Sequence, residues 1–282
     1  GAGCGALHLG TDGAGSIRLP AHFCGAVGHK PTFGLVPYAP VPNNNSVSHA
    51  GPITRSVGDA ALMLQIMSGL HPADHTTLPM TTQAADIWAP DLKGMRIAYS
   101  PDLGHARVDP EIAAAVRASV DVLEALGATV EEVTPPWGPK GPELERLVAC
   151  LDAFAGLTVT EAVATAGRRI AYATEVNTWF AAGSWDALVT PAASVAAFEV
   201  GRQRPAHWPD HVWDWLVWAE FSYPFDLSHG PAVSVPCGRT GEGLPIGMQI
   251  AGSRCEDTKM LRIADAFLRV QPFRPAFASG PA

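Results

Sequence analysis

Residues 95–134 constrain the fold more tightly than any other stretch. Residues 95–100 (MRIAYS) read as a strand, and Asp109 with Pro110 forms an N-cap and first-turn pair. Ile112, Val116, Val120 and Leu123 then recur at helical spacing, Gly127 is placed for the C-cap, and residues 129–134 (TVEEVT) form a second strand. Strand, helix and strand in this order predict a parallel pair joined by a right-handed crossover. A parallel pair requires helices on a sheet, so an all-β or all-α fold is excluded.

The remaining pattern agrees. Ser56 caps a helix with Asp59 reaching back in the manner of a capping box; Leu62, Met63 and Ile66 continue it and Gly69 stops it. Residues 158–182 are helical and end near Gly183, residues 186–191, 231–236 and 246–250 are short apolar strands, and a last helix runs from Asp257 through Leu261, Ala264 and Leu268. Residues 1–55 are rich in Gly and Pro, with short apolar runs and many turn formers, so the first clear helix is the one at Ser56. No repeat and no linker is visible, so the expectation is one α/β domain over residues 1–282 with mixed strand order.

Composition narrows the function. Only 16% of the 282 residues are charged, 47% are hydrophobic and the net charge is −8, which disfavours nucleic acid as a partner. No window approaches a membrane span, and no charged segment leads into an apolar run. The five cysteines (Cys4, Cys24, Cys150, Cys237 and Cys255) form neither a disulfide framework nor a zinc motif. Reduced thiols in a cytoplasm are the expectation.

Chemistry is concentrated in residues 10–34, GTDGAGSIRLPAHFCGAVGHKPTFG. Gly10, Gly13 and Gly15 permit tight turns whose successive N–H groups converge on an anion. A serine at the end of such a turn, here Ser16, stands beside its own oxyanion donors, as acyl transfer requires. The bland alternative is a serine in a glycine-rich loop.

The stretch resembles the amidase-signature family of serine hydrolases, whose fingerprint is G-T-D-x-G-G-S-I-R-x-P-A followed by F-C-G and G-x-K-P-T. Gly10, Thr11, Asp12, Gly15, Ser16, Ile17, Arg18, Pro20 and Ala21 match, as do Phe23, Cys24, Gly25, Gly28, Lys30, Pro31, Thr32 and Gly34. Looser matches lie at 52–59, 186–191, 231–236 and 243–249. The resemblance implies a mixed sheet flanked by helices on both sides and an amidase with a Ser–cis-Ser–Lys triad and no metal or cofactor. It implies Ser16 as nucleophile and the N–H groups of Gly13, Ala14, Gly15 and Ser16 as the oxyanion hole. Thr11 and Asp12 would shape the turn, and Arg18 would brace it.

Two departures stand out. Position 14 is Ala where the family has Gly, a strain of about 1 kcal/mol if φ must be positive. The family's cis-serine and base lysine precede the nucleophile by more residues than this chain has there. Its four lysines, Lys30, Lys93, Lys140 and Lys259, carry no motif of a replacement. The expectation is therefore the C-terminal portion of a longer amidase, inactive or severely impaired alone. The region 135–157 is also shorter than is usual in the family.

Other constellations are weaker. Ser16 with His229 and Asp226 would make a Ser-His-Asp triad, but G-x-S-x-G is absent. His207 and His211 have a ligand spacing interrupted by Pro209, and GAGCGA at 1–6 has no preceding strand. Trp208, Trp213, Trp215, Trp218, Phe221, Tyr223 and Phe225 are either core packing or an apolar acyl pocket. The pocket reading predicts a small amide substrate, aromatic or apolar, with a homodimer left open. The rivals are the amide-hydrolysing subunit of a glutamine-dependent amidotransferase and a non-catalytic amidase-like scaffold.

Overall fold

The computed structural model describes residues 5–40, 47–152, 158–209 and 217–274. Its strands are β1 (Leu7–Asp12), β2 (Val27–Lys30), β3 (His49–Thr54), β4 (Arg96–Tyr99), β5 (Thr129–Glu132), β6 (Ala187–Pro191), β7 (Ala232–Arg239) and β8 (Pro245–Ala251). The helices are α1 (Arg18–Cys24), α2 (Val57–Met67), α3 (Pro110–Ala125), α4 (Gly141–Asp152), α5 (Val159–Gly183), α6 (Tyr223–Leu227) and α7 (Asp257–Val270). One eight-stranded sheet has the order β1-β3-β2-β7-β8-β6-β4-β5.

The predicted unit is present. β4 and β5 are parallel, with Arg96 opposite Thr129 and Tyr99 opposite Glu132, and β4 is also parallel to β6. Ile112, Val116, Val120 and Leu123 on α3 are fully buried. The remaining pairings are antiparallel, so the sheet is mixed.

Strand residues alternate between two cores, as a period of two requires. Ile97, Tyr99, Val189, Val233, Val235, Met248 and Ile250 face α2, α3 and α7. Ala98, Leu188, Ala232 and Ala251 face α4, α5 and α6. Helices therefore cover both faces. Among the described residues, no helix is long and apolar enough to cross a membrane.

Four elements precede the helix expected first at Ser56. β1 is an edge strand whose Leu7 and Leu9 are exposed, which erases the alternating signal. α1 spans seven residues with Pro20 in its first turn, where the missing N–H costs no bond. β3 carries Gly51 and Pro52, residues depleted from strands. The capping at α2 is half of the reciprocal pattern: Ser56 Oγ accepts from the Asp59 N–H, but donates to Asp59 Oδ2. The complete box caps α5, where Thr158 and Glu161 exchange both bonds. Asp109 precedes α3 without a side-chain cap bond, because its carboxylate takes His207 Nε2 at 3.0 Å.

Candidate active site

The chain leaves β1 at Asp12 and enters α1 at Arg18, and residues 13–17 turn between them. Gly15 has φ +114°, and a Cβ there would lie 2.6 Å from Leu19 Cδ1 and 2.7 Å from Ser222 Oγ. Glycine is thus required at 15. Ala14 is not among the residues of positive φ, so its Cβ is tolerated and the departure from the fingerprint carries no such strain.

Asp12 holds the turn from inside. Oδ1 accepts from the Gly15 N–H at 2.5 Å and from Arg18 Nη2 at 2.9 Å; Oδ2 accepts from the Ile17 N–H at 3.1 Å and from Arg18 Nε at 2.9 Å. Arg18 reaches onward to Asp226 Oδ2 at 2.5 Å, Ser222 O at 2.6 Å and Gln249 Oε1 at 2.9 Å. Gln249 is oriented by donating to Phe221 O and Thr190 Oγ1. Two of the loosely matched segments thus lead to one buried guanidinium, 243–249 directly through Gln249 and 186–191 through Thr190 behind it.

Electrostatics sort the two acids. Burial alone would raise the Asp12 carboxyl, but the adjacent Arg18 overrides it and holds the group well below the usual range. Asp226 shares Arg18 less fully; burial dominates and pushes it up to about 8. Its Oδ1 lies 3.3 Å from His49 Nδ1 and accepts no hydrogen bond. Burial also pushes Lys30 down to about 8.

Ser16 is exposed at the end of this turn, and no described residue hydrogen-bonds its hydroxyl. Among the described residues, none accepts from the N–H groups of Gly13, Ala14 or Ser16. The Gly15 N–H differs from expectation: it is held by Asp12, so the set of open donors is three rather than four. Thr11, expected to shape the turn, is exposed and makes no side-chain hydrogen bond among the described residues. Its role is in the ladder opposite Ala50.

The rival constellations do not assemble. Asp226 belongs to Arg18, and His229 stacks on Phe33 at 4.3 Å beside Arg169 Nη1. His211 lies outside the described residues, among which no metal-binding cluster occurs. Lys30 Nζ donates to Gly230 O and Pro31 O; Lys93, Lys140 and Lys259 pair with Asp91, Glu175 and Asp186. Trp208 and Trp218 pack with Leu19 beneath α1, while Phe221, Tyr223 and Phe225 pack around Trp137. The core reading therefore holds for these five; Trp213 and Trp215 lie outside the described residues.

Fold and turn together define an α/β protein that presents a serine on a rigid, donor-lined turn. The amidase family model matches residues 1–168 and 158–261, and the chain belongs to that family. It is 34% identical to an acylamidase of Rhodococcus erythropolis, over 96% of this chain and 63% of that protein. A glutamyl-tRNA(Gln) amidotransferase subunit from Thermotoga maritima superposes with a TM-score of 0.84 at 30% identity, over 97% of this chain and 64% of that one. A bacterial aryl acylamidase of the amidase-signature family superposes with a TM-score of 0.79 at 26% identity, over 95% and 63%. The chain thus spans less than two thirds of the length of these relatives.

Proposed function

We propose that the complete protein is an amide hydrolase that forms an acyl-enzyme on Ser16. The observation that carries the reading is the turn itself, an exposed hydroxyl beside three open N–H donors. Ser16 Oγ attacks the amide carbon, and its proton passes to a base. The carbonyl oxygen becomes anionic against the N–H groups of Gly13, Ala14 and Ser16, each such donor contributing about 3–4 kcal/mol. Collapse breaks the C–N bond, the amine leaves with a proton, and water hydrolyses the ester.

No described residue supplies the base. The resemblance assigns that task to a cis-serine and a lysine, and the reading requires them from the part of the relatives' length that this chain does not span. The substrate is an amide with an apolar or aromatic group. Its support is the likeness to an acylamidase and an aryl acylamidase rather than the tryptophans.

Labelling of the complete protein by a fluorophosphonate probe tests this. Wild type is expected to label at Ser16, and Ser16→Ala to lose both labelling and anilide hydrolysis while melting normally. Retained hydrolysis in Ser16→Ala sinks the assignment, and an unlabelled wild type leaves the non-catalytic scaffold. The likeness to a component of an amidotransferase favours a second reading, glutamine hydrolysis within a complex. Glutaminase activity with a co-purifying partner protein would select it.

A further inference from the structure

We propose that Ser222 is a positioning residue that sets the oxyanion turn from across the fold; this rests on Ser16 being the nucleophile. Ser222 Oγ lies 2.6 Å from Ala14 O and 2.7 Å from Ala219 O, and has one proton to donate. Ala219 O already accepts from the Ser222 N–H at 2.9 Å, whereas Ala14 O has no other donor among the described residues. The proton is therefore more useful at Ala14. Ser222 also accepts from Arg18 Nη1 through its own carbonyl, so one residue grips the turn at two points.

The Ala14–Gly15 peptide is a planar unit tied at both ends, its C=O to Ser222 and its N–H to Asp12. The following carbonyl, Gly15 O, accepts from the Leu19 N–H at 2.7 Å. The second plane carries the Ser16 N–H, and the first, joined to it at the Gly15 Cα, sets the Ala14 Cα from which the Ala14 N–H projects. Gly15 has no Cβ to resist rotation, so without the hydroxyl the plane is held at the Asp12 end alone and the donors lose their fixed aim. Ser222 touches no substrate in this account. It acts through Ala14.

The test compares the complete wild-type protein with Ser222→Ala and Ser222→Thr by fluorophosphonate labelling across probe concentrations. Ser222→Ala is expected to lower the saturating rate about ten- to a hundredfold, with the half-saturating concentration and melting temperature unchanged. Ser222→Thr, which keeps the hydroxyl, is expected to recover most of the rate. A wild-type rate in Ser222→Ala overturns the proposal, as does an equal loss in both variants accompanied by lowered melting. An unlabelled wild type also overturns it, but by removing the nucleophile reading, which the variants alone would not do.

Discussion

The Arg18 guanidinium and the Asp12 carboxylate meet side by side, Nε to Oδ2 and Nη2 to Oδ1, each at 2.9 Å with both side chains fully buried. Ser16 lies between them in the chain, so the pair closes the turn like a clasp. The remaining guanidinium face is occupied by Asp226, Ser222 O and Gln249. A planar fork with five donors suits this place, and a single ammonium does not.

Removing the clasp is therefore costly. Arg18→Ala leaves the Asp12 carboxylate buried without its partner and strips Asp226 of its donor, and breaking such a buried pair costs about 3–5 kcal/mol. Arg18→Lys is expected to lose most of the same stability despite keeping the charge. Urea unfolding of the complete protein measures both, and a wild-type midpoint for Arg18→Lys would show that the fork is dispensable.

The two acids differ in what they contribute. Asp12→Asn removes a carboxylate that Arg18 stabilises and is expected to destabilise strongly at neutral pH. Asp226→Asn keeps an acceptor for Arg18 and removes a group that burial disfavours as an anion, so its cost is expected to be small. The sign with pH follows from the raised value. Asp226 titrates at about 8 folded against the usual 3.8 unfolded, so the folded state binds the extra proton between those limits. The stability of wild type relative to Asp226→Asn is expected to fall as pH rises from about 4 to 8. A difference that grows with pH would reverse the assignment.

Positions 14 and 15 are expected to respond in opposite ways. Gly15→Ala places a Cβ at φ +114° within 2.6 Å of Leu19 and 2.7 Å of Ser222 Oγ, so it is expected to destabilise by more than about 1 kcal/mol and to suppress labelling of Ser16. Ala14→Gly relieves no strain and adds chain entropy to the unfolded state, a cost of about 0.4–1 kcal/mol with labelling retained. Improved stability in Ala14→Gly would mean that Ala14 is strained after all.

The sequence showed its elements most clearly where one face of a helix is buried. The stripe from Ile112 to Leu123 is legible because every fourth or third residue faces the sheet. The first four elements were hidden because β1 exposes its leucines, α1 and β2 span only seven and four residues, and β3 contains Gly51 and Pro52. Ser16, Asp12 and Arg18 were readable from one contiguous motif. Ser222, Asp226, Gln249 and Thr190 were not, because the first three meet Arg18, and Thr190 meets Gln249, only after folding brings distant α6, β6 and β8 together. The occupied Gly15 N–H was equally invisible, since it depends on a side-chain rotamer at Asp12.

His22, six residues beyond Ser16 in the chain, gives the acid limb of stability. Its Nδ1 accepts from the Gly247 N–H at 2.8 Å, so Nε2 carries the proton and donates to Val195 O at 2.9 Å. Burial holds the folded imidazole neutral down to about 4, against 6.5 when unfolded. Between these values the unfolded chain binds the extra proton, so stability is full above about 6.5 and is lost as pH falls toward 4. His22→Asn keeps an acceptor for Gly247 but does not titrate and leaves Val195 O without its donor. It is expected to be less stable than wild type at pH 7, with the gap closing by about 1.4 kcal/mol per pH unit on acidification. Urea unfolding at a series of pH values measures the gap, and a gap independent of pH would place the titrating group elsewhere.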